Sequence, residues 1–257
     1  MQFRLRFWPT LGTVVGLTML VSLGTWQFSR YQQKHGQEAM RDQRIDAQPQ
    51  DVSAVDDLPG SYSKVRLHGS LDSDHLILFK HRTQEGKPGG WLGGVFRLED
   101  GGAVLVNLGW IHREYYDDLS TDVLTGFPTT LSGLVHQPAR IVADDDLRAR
   151  LTDRGGLPEA EVVEADSYDL EAVQNALDTR TTDPPAIVVL APEHARRPYP
   201  QASYDHVTQP YLTAERHLGY SVFWYMTGLA LLGLYLAYGF GYLGGRTMPA
   251  RSDEPSD

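Results

Sequence analysis

Residues 218–243 read LGYSVFWYMTGLALLGLYLAYGFGYL, with no ionisable side chain other than tyrosine. At about 1.5 Å of rise per residue, a helix of that length crosses a hydrocarbon layer of about 30 Å with some tilt. The segment must be helical, because lipid offers no partner to an unpaired backbone amide. Tyr220, Trp224 and Tyr225 gather near one end and Tyr235, Tyr238 and Tyr242 near the other, where aromatic rings meet the headgroup layers.

A second apolar run, FWPTLGTVVGLTMLVSLGTW, occupies residues 7–26. It is long enough to span, although its threonines, Ser22 and the glycines at 12, 16 and 24 lower its hydrophobicity. Arg4 and Arg6 ahead of it also suit a secretory signal, but only Ser22-Leu23-Gly24 offers a small-residue cut site, and a bulky Trp26 follows. A retained anchor is therefore expected. Gly12 and Gly16 form a GxxxG pair that would let a second helix approach.

Two spans place both termini on one side of the membrane and the long middle on the other. Arg4, Arg6 and Arg246 balance Arg30, Lys34 and Arg216, so charge near the spans does not choose the side. A loop longer than about 60 residues is translocated largely regardless of its charge, so export of the middle is permitted. No Arg/Ser-rich transit stretch precedes the first span, which favours a bacterial plasma (inner) membrane with an extracytoplasmic middle domain. The expected organisation is a first span over 7–26, a polar helix and linker over 27–58, a domain over 59–205, a second span over 218–243 and a cytoplasmic tail over 244–257.

The mean hydropathy of the chain is negative, because its apolar residues are concentrated at the ends. Of 23 basic and 33 acidic residues, setting aside Arg4, Arg6, Arg246, Arg251, Asp253, Glu254 and Asp257 leaves 19 against 30. That acidic middle disfavours nucleic acid and anionic lipid as partners. With no cysteine there is no disulfide framework, thiolate nucleophile or cysteine-ligated metal site.

Beyond Pro59-Gly60, alternating runs at 62–67, 75–80, 91–98, 103–111 and 130–135 are separated by glycine-rich turns, the pattern of an antiparallel meander. Residues 144–151 and 170–177 read as helices and 186–190 as a strand, giving an α+β domain. The proline-rich stretch 183–210 is otherwise an extended connection.

No hydrolase elbow, phosphate loop, dinucleotide fingerprint or HExxH is present. Asp144-Asp145-Asp146, followed by Leu147 and Arg148, reads as a helix start rather than a metal cluster. The nine histidines include no pair at helical spacing for a metal; His75 and His81 share strand parity and are read as solvated. His217 is different. It begins the second span and, on a helix, lines up with Tyr220, Ser221, Trp224 and Gly228. An imidazole there could ligate haem iron or simply hydrogen-bond at the membrane surface.

Three separated motifs then carry a resemblance: Gly24-Thr25-Trp26-Gln27 with Arg30 and Lys34 after it, the run at 102–110 ending Asn107-Leu108-Gly109-Trp110, and His217-Leu218-Gly219-Tyr220 with Trp224. Their order and the two-span layout resemble the surfeit locus protein 1 family of cytochrome c oxidase assembly factors. Two departures stand out. Leu108 replaces the family's usual arginine, and residues 140–200 match poorly. The resemblance implies a non-enzymatic role in maturing subunit I of a haem-copper oxidase, with that subunit, other assembly factors and the bilayer as partners and haem a as a transient cofactor. It implies His217 as the axial (metal) ligand, surrounded by Trp26, Gln27, Arg30, Tyr220 and Trp224, with Arg30 or Lys34 facing the propionates. The alternatives are a membrane-tethered scaffold without cofactor and, more remotely, an anchored hydrolase acting through the middle domain.

Overall fold

The computed structural model describes residues 5–138, 142–196, 199–208 and 213–242, so the expected tail over 244–257 lies outside the described residues. The chain forms two compact units, one of residues 1–39 with 211–257 and one of residues 40–210.

Helix α1 (Phe7–Asp46) runs unbroken from the apolar segment through the polar one. The threonines that weaken its hydropathy are satisfied within the helix. Thr10, Thr13, Thr18 and Thr25 donate to the carbonyls of Arg6, Pro9, Val14 and Val21 at 2.8, 2.8, 2.9 and 2.9 Å. A hydroxyl bonded back to the preceding turn leaves no unpaired donor for lipid to penalise. The helix stops just ahead of Pro49, within the stretch over 27–58 expected to hold a polar helix and linker.

In the second unit, strands β1 (Gln50–Val52), β2 (Lys64–Gln84), β3 (Lys87–Leu98), β4 (Ala103–His112) and β5 (Thr130–His136) are followed by helix α2 (Asp145–Arg154), strand β6 (Glu161–Ala165), helix α3 (Leu170–Asn175), strand β7 (Ile187–Leu190) and helix α4 (Asp205–Thr208). The runs expected at 62–67 and 75–80 belong to one long strand, β2, which absorbs the interruption as a register shift between Leu71 and Leu76. The β2–β3–β4 meander is antiparallel. Three other pairings are parallel: β1 with β2, β2 with β6, and β4 with β7. β7 lies parallel to β4 and antiparallel to β5, and β5 pairs with β2, closing β2-β3-β4-β7-β5 into a ring. Closure leaves those strands no unpaired edge to recruit another chain.

Alternate residues of the central strands serve two cores. Leu76, Leu78, Val104 and Val106 pack with Leu108, Leu131 and Val188, whereas Ile77, Phe79 and Leu105 pack with Leu147 and Leu151 of α2 and Leu170 and Val173 of α3. Both faces are thus buried, which is why β4 reads as a nearly continuous apolar run. Asp144 and Asp169 cap α2 and α3, accepting from Leu147 N at 3.0 Å and Ala172 N at 3.1 Å, so the aspartate run is the helix start it was read to be.

The Asn-Leu-Gly-Trp segment is a bulge. Leu92 faces Gly109 and Gly93 faces Asn107, leaving Leu108 as the extra residue, fully buried in the larger core. Asn107 Oδ1 accepts from Gly109 N at 2.9 Å. Gly109 sits at φ +133°, and a Cβ there would lie 2.5 Å from the Gln201 carbonyl carbon. That clearance lets Trp110 and Gln201 exchange backbone hydrogen bonds of 3.0 and 2.9 Å. Gly109→Ala is therefore expected to destabilise this unit by about 1–3 kcal/mol, measured as a lowered denaturation midpoint.

The parity shared by His75 and His81 does not survive folding. A second register shift between Phe79 and Arg82, with His81 at φ +58°, breaks the alternation. His75 lies 3.0 Å from Asp72 with its side chain 13% accessible, not solvated, and His81 lies 3.2 Å from Asp166 with its side chain 72% accessible.

Helix α5 (Ala214–Gly239) returns to the first unit. Among the described residues, α1 and α5 are the two helices long and apolar enough to cross a bilayer.

Candidate functional site

Along α1 the residues withdrawn from the surface include Thr13, Leu17, Leu20, Gly24, Gln27, Tyr31, Lys34 and Glu38, a series separated alternately by four and three positions. Along α5 they include Ala214, His217, Ser221, Trp224, Gly228, Leu231, Tyr235 and Tyr238, in the same rhythm. A repeat averaging three and a half residues keeps one seam of each helix facing the other, and the two run antiparallel here. Side chains lock the register. Thr10 and Tyr235 hydroxyls lie 2.7 Å apart, Thr25 and Tyr225 hydroxyls 3.0 Å apart, and Arg6 Nη1 donates to the Tyr238 hydroxyl.

Small residues set the separation. A Cβ on Gly24 would lie 2.8 Å from the Tyr225 ring, and one on Gly16 would lie 2.9 Å from Leu231. Beside Gly24 the Ser221 hydroxyl donates to the Gly24 carbonyl at 2.9 Å. Of the GxxxG pair, Gly16 therefore takes part in the close approach, while a Cβ on Gly12 would meet nothing within 4 Å.

One turn from Gly24, His217 Nδ1 lies 2.8 Å from Gln27 Oε1. His217 is 9% exposed. Its Nε2 takes no hydrogen bond among the described residues. One ring nitrogen is thus engaged and the other has no hydrogen bond among the described residues, the disposition of a histidine ligand whose far nitrogen is held by the protein.

The structure brings together two of the six expected site residues, His217 and Gln27, with Trp224 half-buried on the same seam. Trp26 and Tyr220 point away from the pair's interior, at 55% and 51% exposure. Arg30 is exposed and donates to Gln33 Oε1 at 3.1 Å. Both Tyr225, which covers Gly24, and Glu38 were missed. Thr213 provides no side-chain cap for α5, and Glu38 Oε1 accepts from Ala214 N at 3.0 Å instead. A carboxylate at a helix N-terminus is favoured by the helix dipole. Counting steps of four and three from Gln27 would have reached Glu38.

Among the described residues, no group of three or more His, Asp or Glu side chains converges as a metal site. A model of the SURF1 family matches residues 14–229, which include Gly24, Gln27, His217 and Ser221. No curated protein matches the chain.

Proposed function

Because the chain belongs to the SURF1 family, which is associated with cytochrome c oxidase assembly, we propose that it assists haem delivery to, or maturation of, subunit I of a haem-copper oxidase. The observation that carries this reading is the His217–Gln27 pair, with Nδ1 engaged at 2.8 Å and Nε2 without a hydrogen bond among the described residues. A hydrophobic cofactor passed within the bilayer needs a ligand on membrane helices, and His217 stands in the first turn of α5.

In this reading His217 would ligate the iron of a transiently held haem a, with Trp224 on the same seam and the outward Trp26 and Tyr220 as aromatic groups that would pack on it. The exposed Arg30 guanidinium is available to a propionate at the membrane surface. Bound haem would supply the iron that His217 ligates; the chain's own part is to bind, orient and release it. The bacterial inner membrane is the proposed location, with the 40–210 unit extracytoplasmic and oxidase subunit I or another assembly factor as its partner.

A cofactor-free scaffold role is the second reading, and the outward placement of Trp26 and Tyr220 favours it. Removing the gene from its host separates the two. The proposed function predicts an oxidase subunit I that is made but deficient in haem, read from the difference spectrum of membranes. Full haem content with a complex that fails to assemble would support the scaffold role instead.

A further inference from the structure

We propose that Gln27 acts as a positioning residue: its carboxamide oxygen keeps the proton of His217 on Nδ1 and thereby presents Nε2, lone pair outward, as the ligating atom. The inference deepens the haem-ligand reading and rests on it for the identity of the ligand, but the tautomer it assigns can be observed without haem.

A neutral imidazole carries one N–H, and only the other nitrogen can coordinate a metal. A carbonyl oxygen has lone pairs and nothing to donate, so across the 2.8 Å contact His217 Nδ1 must be the donor and Gln27 Oε1 the acceptor. The contact is held from both sides. Gln27 lies one turn from Gly24 on the α1 seam and His217 one turn from Ser221 on the α5 seam. Between Gly24 and Ser221 the hydroxyl-to-carbonyl bond of 2.9 Å ties the two backbones together. The Tyr225 ring against Gly24 keeps the helices at that separation.

Glutamine suits the position for two reasons. It accepts as a carboxylate would, without placing a charge on a buried seam of an apolar helix pair. It also polarises the imidazole less than a carboxylate does, making His217 a weaker donor to iron than the carboxylate–histidine pairs of tightly held metals. A carrier that must surrender its cargo is served by that moderation.

The test uses full-length protein in detergent with ¹⁵N-labelled histidine, as wild type, Gln27→Leu and Gln27→Glu. Without haem and at alkaline pH, the wild-type His217 is expected to show Nδ1 as the protonated nitrogen. Gln27→Glu should keep that pattern, and Gln27→Leu, of similar size but lacking an acceptor, should lose it. After loading with haem, Gln27→Leu is expected to lower affinity by about tenfold. Gln27→Glu should restore affinity and shift the iron reduction potential to more negative values, which a merely structural contact would not do.

A wild-type His217 protonated on Nε2, as when the carboxamide is turned to donate its NH₂ group, would overturn the proposal. So would an unchanged tautomer in Gln27→Leu. If the tautomers behave as expected and wild type takes up no haem, the positioning role is supported and the haem-ligand reading is overturned.

Discussion

His217→Ala is expected to abolish haem retention by the purified full-length protein while leaving its membrane insertion and helix content unchanged. The Soret band of protein expressed with abundant haem should fall to the level of a haem-free control, a loss of tenfold or more, since no second histidine of the described chain shares the α1–α5 seam. The helix pair should survive the substitution. Its register is held by Ser221, Tyr225, Tyr235 and Tyr238, none of which bonds to His217. Alanine is also the strongest helix former, so α5 itself is not weakened. Unchanged occupancy would mean that iron is held elsewhere or that haem is not this protein's cargo, and the cofactor-free scaffold reading would then stand.

Asp169→Ala is expected to be the most damaging single change in the 40–210 unit, lowering its stability by about 3–5 kcal/mol. The Asp169 side chain is fully buried and accepts from Arg148 Nε at 2.6 Å, Arg148 Nη2 at 3.0 Å, Asp144 N at 2.9 Å and Ala172 N at 3.1 Å. Removing it strips the cap from α3 and leaves Arg148 with the half-exposed Glu171 as its remaining carboxylate. Glu171→Ala provides the contrast, with an expected cost below about 1 kcal/mol for a solvent-screened pair. Denaturant midpoints of the full-length variants check both values.

The same carboxylate makes the unit acid-sensitive. Burial alone would push the Asp169 pKa up, but the Arg148 guanidinium and the Asp144 and Ala172 amides outweigh it and hold the group below the usual carboxylate value. A pKa lower in the folded than in the unfolded chain contributes stability that is complete above the unfolded value of about 3.9 and is lost as pH falls through the folded one. Asp72 is depressed in the same sense, its burial offset by the Asp74 amide, His75 and Arg97. Wild type should therefore lose stability progressively below about pH 4, and Asp169→Ala should do so over a smaller range.

Much of this architecture is legible along the chain because it depends on local periodicity. The charge-free runs at 7–26 and 218–243, the apolar runs at 91–98 and 103–111, and the aspartates ahead of the helices at 145 and 170 each act within a few residues. Strand β6 was not legible, since GluValValGluAla is too short and polar to stand out and is a strand because β2 pairs with it. Nor was the parallel entry of β7 between β4 and β5, a choice among edges separated by many residues.

The site divides in the same way. His217 could be singled out from sequence, because an imidazole at the head of an apolar span is chemically conspicuous. That Gln27 meets it and Trp26 does not is decided by the seam. Adjacent residues on a helix point about 100° apart, so only the packing of α1 against α5 selects which of them faces inward. Hydrophobic spans, caps and turns are properties of one segment and its solvent, and the sequence determined them alone; sheet closure, register and the His217–Gln27 contact are properties of two segments at once, and only their packing together decided them.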